Sequence, residues 1–119
     1  MVGHRWLGLA LLAGLAGCQS REAAARRHMQ QTLRRLSRAE ASFYAGHGTF
    51  TALLDSLRVS GRPFSWSDDV RLIVTRADSA GWHAVASALW TEDVCSMQGA
   101  PPGRGAKDED PQCQTGAQP

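Results

Sequence analysis

Hydrophobic and polar positions change their rhythm several times along this chain. A short polar start containing His4 and Arg5 gives way to an apolar run, Trp6 to Ala16, broken only by glycines. The run is about eleven residues, shorter than the ~20 needed to span a bilayer, and its length and flanks match the h-region of a secretory signal. From residue 21 to 46 the pattern becomes helical. Met29, Leu33, Leu36, Glu40 and Phe43 fall within about 40° of one seam at 100° per residue, with Arg27, Arg34 and Arg38 opposite. That is an amphipathic helix with one stripe facing a core. The stripe starts at Met29, so residues 19–28 are expected to form a partly helical stalk. Ala45-Gly46-His47-Gly48 reads as the helix stop.

Beyond the helix, Thr51 is placed to cap a short helical turn that buries Leu53, Leu54 and Leu57, and Gly61-Arg62-Pro63 breaks the chain. Val70 to Ala77 is rich in β-branched residues and predicts a strand. Asp78-Ser79-Ala80-Gly81 is a turn signal. Trp82 to Ser87 then alternates, with Trp82, Ala84 and Ala86 on one side and His83, Val85 and Ser87 on the other, predicting a hairpin. A third strand is expected over Val94 to Gln98. Residues 100–119 are rich in Pro, Gly and charge, show no core pattern, and read as a loop or tail. The expected fold class is α+β: a long N-terminal amphipathic helix packed on a small antiparallel sheet of three to four strands.

The apolar run ends in Leu15-Ala16-Gly17-Cys18, which resembles a bacterial lipobox. The resemblance implies that residues 1–17 are a signal peptide, that the Cys18 thiol receives a diacylglyceryl group, and that the chain is cut just before it. A competing reading is raised by Glu22, at the fifth position counted from Cys18, which suggests a prepilin site after Gly17. A prepilin keeps its apolar helix after the cut. Here the apolar run precedes Gly17, and the following QSREAAARRH is unfit for a bilayer, since each central arginine costs ~2.5–3.5 kcal/mol on insertion scales. Membrane attachment is therefore expected through an acyl chain, at about 0.8 kcal/mol per buried CH₂. Gln19 follows the cysteine; by resemblance to Gram-negative lipoproteins it implies sorting to the outer membrane, facing the periplasm or the cell surface.

Composition narrows the remaining chemistry. The 119 residues allow one domain, and residues 18–119 hold a core small enough to benefit from a covalent staple. A net charge of +2 argues against a nucleic-acid binder on bulk charge. Six arginines between residues 21 and 38 outweigh the helix's two glutamates; Arg34, Arg35 and Arg38 read as a solvated face, and Arg21, Arg26 and Arg27 either extend that face or meet anionic headgroups near the anchor. With Cys18 lipidated, Cys95 and Cys113 remain, and export to an oxidising compartment makes them a disulfide pair. It would close a loop of about 18 residues, worth ~3 kcal/mol in the chain-entropy treatment. No C-x-x-C or regular His spacing favours a metal site instead.

No catalytic constellation is expected. His28, His47 and His83 share no ligand spacing, and no serine lies in a nucleophile motif. Glu40 breaks the apolar seam and needs an arginine, loop N–H groups or a place at the stripe's rim. Trp82 is expected in the core; Trp66 and Trp90 would either fill the core or mark a contact surface. The domain organisation expected is a signal peptide (1–17), the lipidated cysteine with its stalk (18–28), an α+β domain (29–99) and a tail pinned by the disulfide (100–119).

RAEASFYAGHGTFTALLDSL (Arg38 to Leu57), VRLIVTRADSAGWHAVASA (Val70 to Ala88) and VCSMQG (Val94 to Gly99) together resemble the globular part of type IV pilins and pseudopilins. Phe43, Tyr44, Gly48, Phe50, Leu54, Gly81, Trp82, Cys95 and Cys113 sit at the corresponding places. The resemblance spans roughly residues 29–113 and implies a pilin-like fold. The family's apolar N-terminal half-helix, which holds filaments together, has no counterpart after Cys18. The expectation is a non-enzymatic, lipid-anchored envelope protein with a structural or binding role, accessory to a type IV pilus or secretion system. The alternatives are a true pilin or pseudopilin subunit with unusual processing, and a small periplasmic enzyme. The partners expected are the membrane and pilus or secretion-system proteins, with no cofactor, nucleic acid or small-molecule substrate.

Overall fold

The computed structural model describes the backbone of residues 2–102 and 110–115, and the side chains of residues 20–102 and 110–115. One helix, α1 (Val2–His47), leads into a short 3₁₀ turn (Leu54–Ser56) and a two-stranded ribbon of β1 (Arg58–Val59) and β2 (Arg62–Pro63). Four strands follow: β3 (Val70–Ala77), β4 (Trp82–Ala88), β5 (Asp93–Gly99) and β6 (Gln112–Thr115). They pair in chain order, all antiparallel, with α1 packed on one face. The architecture is α+β, as the periodicity predicts.

The helix presents its predicted stripe to the sheet. Met29, Leu33 and Leu36 are fully buried, and Ala39 and Glu40 continue the same face. The stripe also begins earlier than expected: Ala25 is buried, Arg26 pairs with Asp93, and His28 contacts Asp69. Residues 25–28 therefore belong to the docked helix and not to a stalk. Their polar appearance in sequence conceals this, because the buried position is a single alanine and the neighbours are held by polar side-chain contacts. The helix ends at Gly48, whose φ of 71° suits a residue without Cβ and whose N–H bonds to Tyr44 O at 2.8 Å. This is the left-handed C-terminal cap.

Strand alternation puts small side chains under the helix. Trp82, Ala84 and Ala86 of β4 and Cys95 of β5 are almost wholly buried, with Val70, Leu72 and Met97 beside them. Ile73 stands on the outer face, where it is exposed. The β3–β4 register shifts between Val74 and Arg76, and Thr75, left out of the ladder, bonds to His83 Nδ1 at 2.6 Å. Asp78 builds the turn: its Oδ1 accepts from Ala80 N at 2.8 Å and Gly81 N at 3.0 Å. Gly81 is needed for space, since a Cβ there would lie 2.7 Å from Gly99 O on the paired strand.

Two local expectations need correction. Thr51 does not cap a turn that buries three leucines. Its hydroxyl accepts from Leu53 N at 3.0 Å, but the 3₁₀ turn starts one residue later, leaving Leu53 exposed, Leu54 half-buried and only Leu57 fully buried. The ribbon after Leu57 takes the chain elsewhere, through positive φ at Ser60 and Gly61, the geometry of a tight two-residue hairpin. The C-terminal segment is also not structureless, because Gln112–Thr115 is the fourth strand. It lacks a core pattern because, within the strand, only Cys113 is partly buried, and Cys113 faces Cys95 directly across the ladder, where the two are disulfide-bonded.

Two substitutions test this arrangement. Cys113→Ser should lower the unfolding free energy by about 3 kcal/mol, read by urea unfolding under oxidising conditions; a loss below ~1 kcal/mol would show that loop closure does not secure β6. Gly81→Ala should cost about 1–3 kcal/mol by forcing β4 and β5 apart, and an unchanged urea midpoint would contradict the close approach.

Candidate functional site

The end of the domain nearest Cys18 gathers an unusual set of side chains. Arg21, Glu22 and Arg26 leave α1 beside the β4–β5 connection, Leu89-Trp90-Thr91-Glu92. The connection is tight, and its ends are tied down: Leu89 N bonds to Asp69 O at 3.3 Å, and Asp93 N to Thr91 Oγ1 at 3.1 Å. Its apex therefore cannot fold back onto the core. Leu89 is 81% exposed and Trp90 56%. The Arg21 guanidinium lies over the Trp90 ring, 5.6 Å from its centroid, a cation–π geometry.

Beneath this apex, Arg26 Nε donates to Asp93 Oδ2 at 2.8 Å, and Nη2 contacts the same oxygen. Asp93 is nearly buried whereas half of the arginine side chain is in solvent. This pair closes the floor of an open cleft of ≈ 560 Å³ between α1, the β4–β5 connection and Thr115. On the other side of Leu89 a depression of ≈ 320 Å³ lies among Asp68, Asp69, Arg71 and Ser87. Next to it, His28 Nδ1 is 3.0 Å from Asp69 Oδ2. Leu89 is thus a ridge between two hollows, the larger of them polar.

At the opposite end of the packed helix, Glu40 is wholly buried. Its Oε1 accepts from Thr51 N at 3.0 Å, so loop backbone and not arginine satisfies it. Its Oε2 is buried without a hydrogen-bond partner among the described residues. Loss of hydration raises the Glu40 pKa to about 7, against a smaller opposing effect of the Thr51 N–H. The loop is also bonded to the sheet, through Phe50 N to Asp78 O at 3.1 Å, and Phe50 stacks on Tyr44. Glu40 therefore helps hold the helix-to-sheet connection.

The other sequence candidates separate clearly. Trp82 is core. Trp66 packs against Phe64 and donates Nε1–H to Val70 O at 2.8 Å, so it closes the core's edge, whereas Trp90 is the exposed ring. His47 stacks on Phe43 at the helix end, and His83 bonds to Thr75; neither lies near the Cys18 end. Among the described residues no group of three or more His, Cys, Asp and Glu is placed to hold a metal ion. The Cys18 side chain lies outside the described ones. The Arg26–Asp93 pair and the exposure of Leu89 are not legible in sequence; the Leu-Trp dipeptide after an alternating strand is the only local hint of the latter.

No protein-family model matches the chain, and no curated protein matches it significantly.

Glu40 makes stability depend on pH. The unfolded carboxyl ionises near its ordinary 4.5 and the folded one near 7. Between these values the native state holds a proton that the unfolded state has lost, so stability falls as pH rises through the window and is level above it. The full drop is on the order of 3 kcal/mol. Glu40→Gln should remove this fall while keeping an acceptor for Thr51 N, and urea unfolding at pH 5 and pH 8 should give nearly equal free energies for the variant. The same pH dependence in variant and parent would assign it to another group.

Proposed function

We propose that the chain is a lipid-anchored, pilin-like envelope protein with a structural or binding role, an accessory to a type IV pilus or secretion apparatus, and not an enzyme. The observation that carries the reading is the position of Cys18, at the end of an apolar run and directly before an arginine-bearing amphipathic helix. The first buried residue of that helix, Ala25, follows seven residues later. At 1.5 Å per residue the core begins about 10 Å along the axis from the acylated thiol. The domain is then held close above the lipid surface. The helix on an antiparallel meander, with the last strand stapled by Cys95–Cys113, is compatible with the pilin resemblance.

The second reading, a true pilin or pseudopilin subunit that retains Trp6 to Ala16, draws on the unbroken course of α1 from Val2 to His47. Among the described residues no helix is long and apolar enough to cross a membrane. Growth with labelled palmitate separates the two readings. The wild-type protein should take up label, the Cys18→Ala variant should not, and the mature mass should begin at Cys18. An unlabelled protein that retains residues 6–16 would establish the second reading. Crosslinking in the native host should recover pilus or secretion-apparatus components, and recovery of neither would remove the accessory role.

A further inference from the structure

We propose that the Leu89–Trp90 apex is a second membrane contact, which seats the domain on the phospholipid interface beside its anchor. The proposal rests on the anchored reading above and names what the exposed end of that domain touches.

Position supplies the first argument. Arg21 is three residues past Cys18, about 4.5 Å along the helix axis. The Trp90 ring sits against Arg21, at 5.6 Å. The apex thus lies close to the level of the anchor, comparable with the roughly 5–8 Å depth of a headgroup layer. This holds whether an acyl chain or the apolar run Trp6–Ala16 enters the bilayer, because both join the same end of α1. Among the described residues the other two large exposed apolar side chains lie elsewhere: Leu53 follows the far end of the helix, and Ile73 stands on the outer sheet face.

Chemistry supplies the second. A tryptophan ring prefers the boundary between headgroups and acyl chains, where its apolar body is dry and its N–H stays wet. Leu89 offers an apolar neighbour, and Arg21 can extend its charge toward phosphate while its stem covers the ring. Bonds on either side of the apex, Leu89 N to Asp69 O and Asp93 N to Thr91 Oγ1, fix the connection that presents Leu89 and Trp90.

Charge decides which lipid surface is meant. Arg26 is satisfied by Asp93, Arg21 lies over the Trp90 ring, and Glu22 and Glu92 line the cleft beside the apex. The patch carries no excess of positive charge, so docking follows the apolar interface and not anionic headgroups. Because the anchor already confines the domain near the surface, a weak contact is enough to be occupied.

The test uses the full chain isolated from membranes of expressing cells and reconstituted into phosphatidylcholine vesicles carrying a shallow nitroxide lipid. Tryptophan emission should be quenched in the wild type, and Trp90→Phe should lose at least half of that quenching. Leu89→Ser should also reduce it at least twofold, with unchanged urea unfolding as the control for folding. Quenching should be insensitive to salt and to replacement of half the lipid by phosphatidylglycerol. Equal quenching in wild type and Trp90→Phe overturns the proposal, as does quenching that appears only with anionic lipid or only at low salt. The intact mass of the same preparation reports acylation separately. If Cys18 carries no lipid, coupling it to a maleimide phospholipid restores the geometry. Trp90 quenching then supports docking although acylation has failed, and its absence rejects docking on its own.

Discussion

The fold depends on burying one helical stripe against strands whose inward residues are mostly small. Met29, Leu33 and Leu36 need a dry surface, and Ala84, Ala86 and the bonded Cys95 let the helix come close to supply it. Trp82 fills the volume that the alanines leave, and Phe50, Leu57 and Phe64 close the side toward the ribbon. Each large side chain so buried contributes about 1.5–3 kcal/mol. Take α1 away, and the sheet has an apolar face open to water; take the sheet away, and the helix has no partner for its stripe. Neither half is expected to persist alone, because apolar burial is shared between them.

Polar contacts set where that seam begins and ends. At one end, Arg26 meets Asp93 and brings the start of β5 against the helix. At the other, Glu40 takes the Thr51 N–H and turns the chain back toward the sheet, where Phe50 N bonds to Asp78 O. The two differ in environment. The arginine reaches solvent, so its pair is partly screened, whereas Glu40 is closed off from solvent by burial and holds its proton more tightly. The disulfide acts on the remaining edge, keeping a short strand paired that has few apolar contacts of its own.

These ties give the domain two unlike ends. The far end is closed by aromatic stacking of Tyr44 on Phe50 and Phe43 on His47. The end toward Cys18 is more open, with a hollow on either side of the leucine ridge and an indole facing outward. Under the anchored reading, that asymmetry has a direction: the open end faces lipid, and the outer sheet face and aromatic end remain for partners.

Local pattern alone determined the helical seam from Met29 to Phe43, the first two strands of the sheet and the turn between them. There the period of apolar residues, the β-branched run and the Asp-to-Gly turn each act over a few neighbouring residues. The third strand was legible to within a residue at each end. Tertiary structure decided the rest. Ala25 is buried next to Arg26, which pairs with Asp93 of β5, and the helix docks earlier than its polar sequence suggests. Gln112–Thr115 is a strand because Cys113 is bonded to Cys95, a contact between positions 18 apart. Trp66 and Trp90 are equivalent in sequence context, yet one finds a carbonyl at the core's edge and the other does not. Burial and pairing across long separations depend on where the chain returns, and no short window of sequence contains that information.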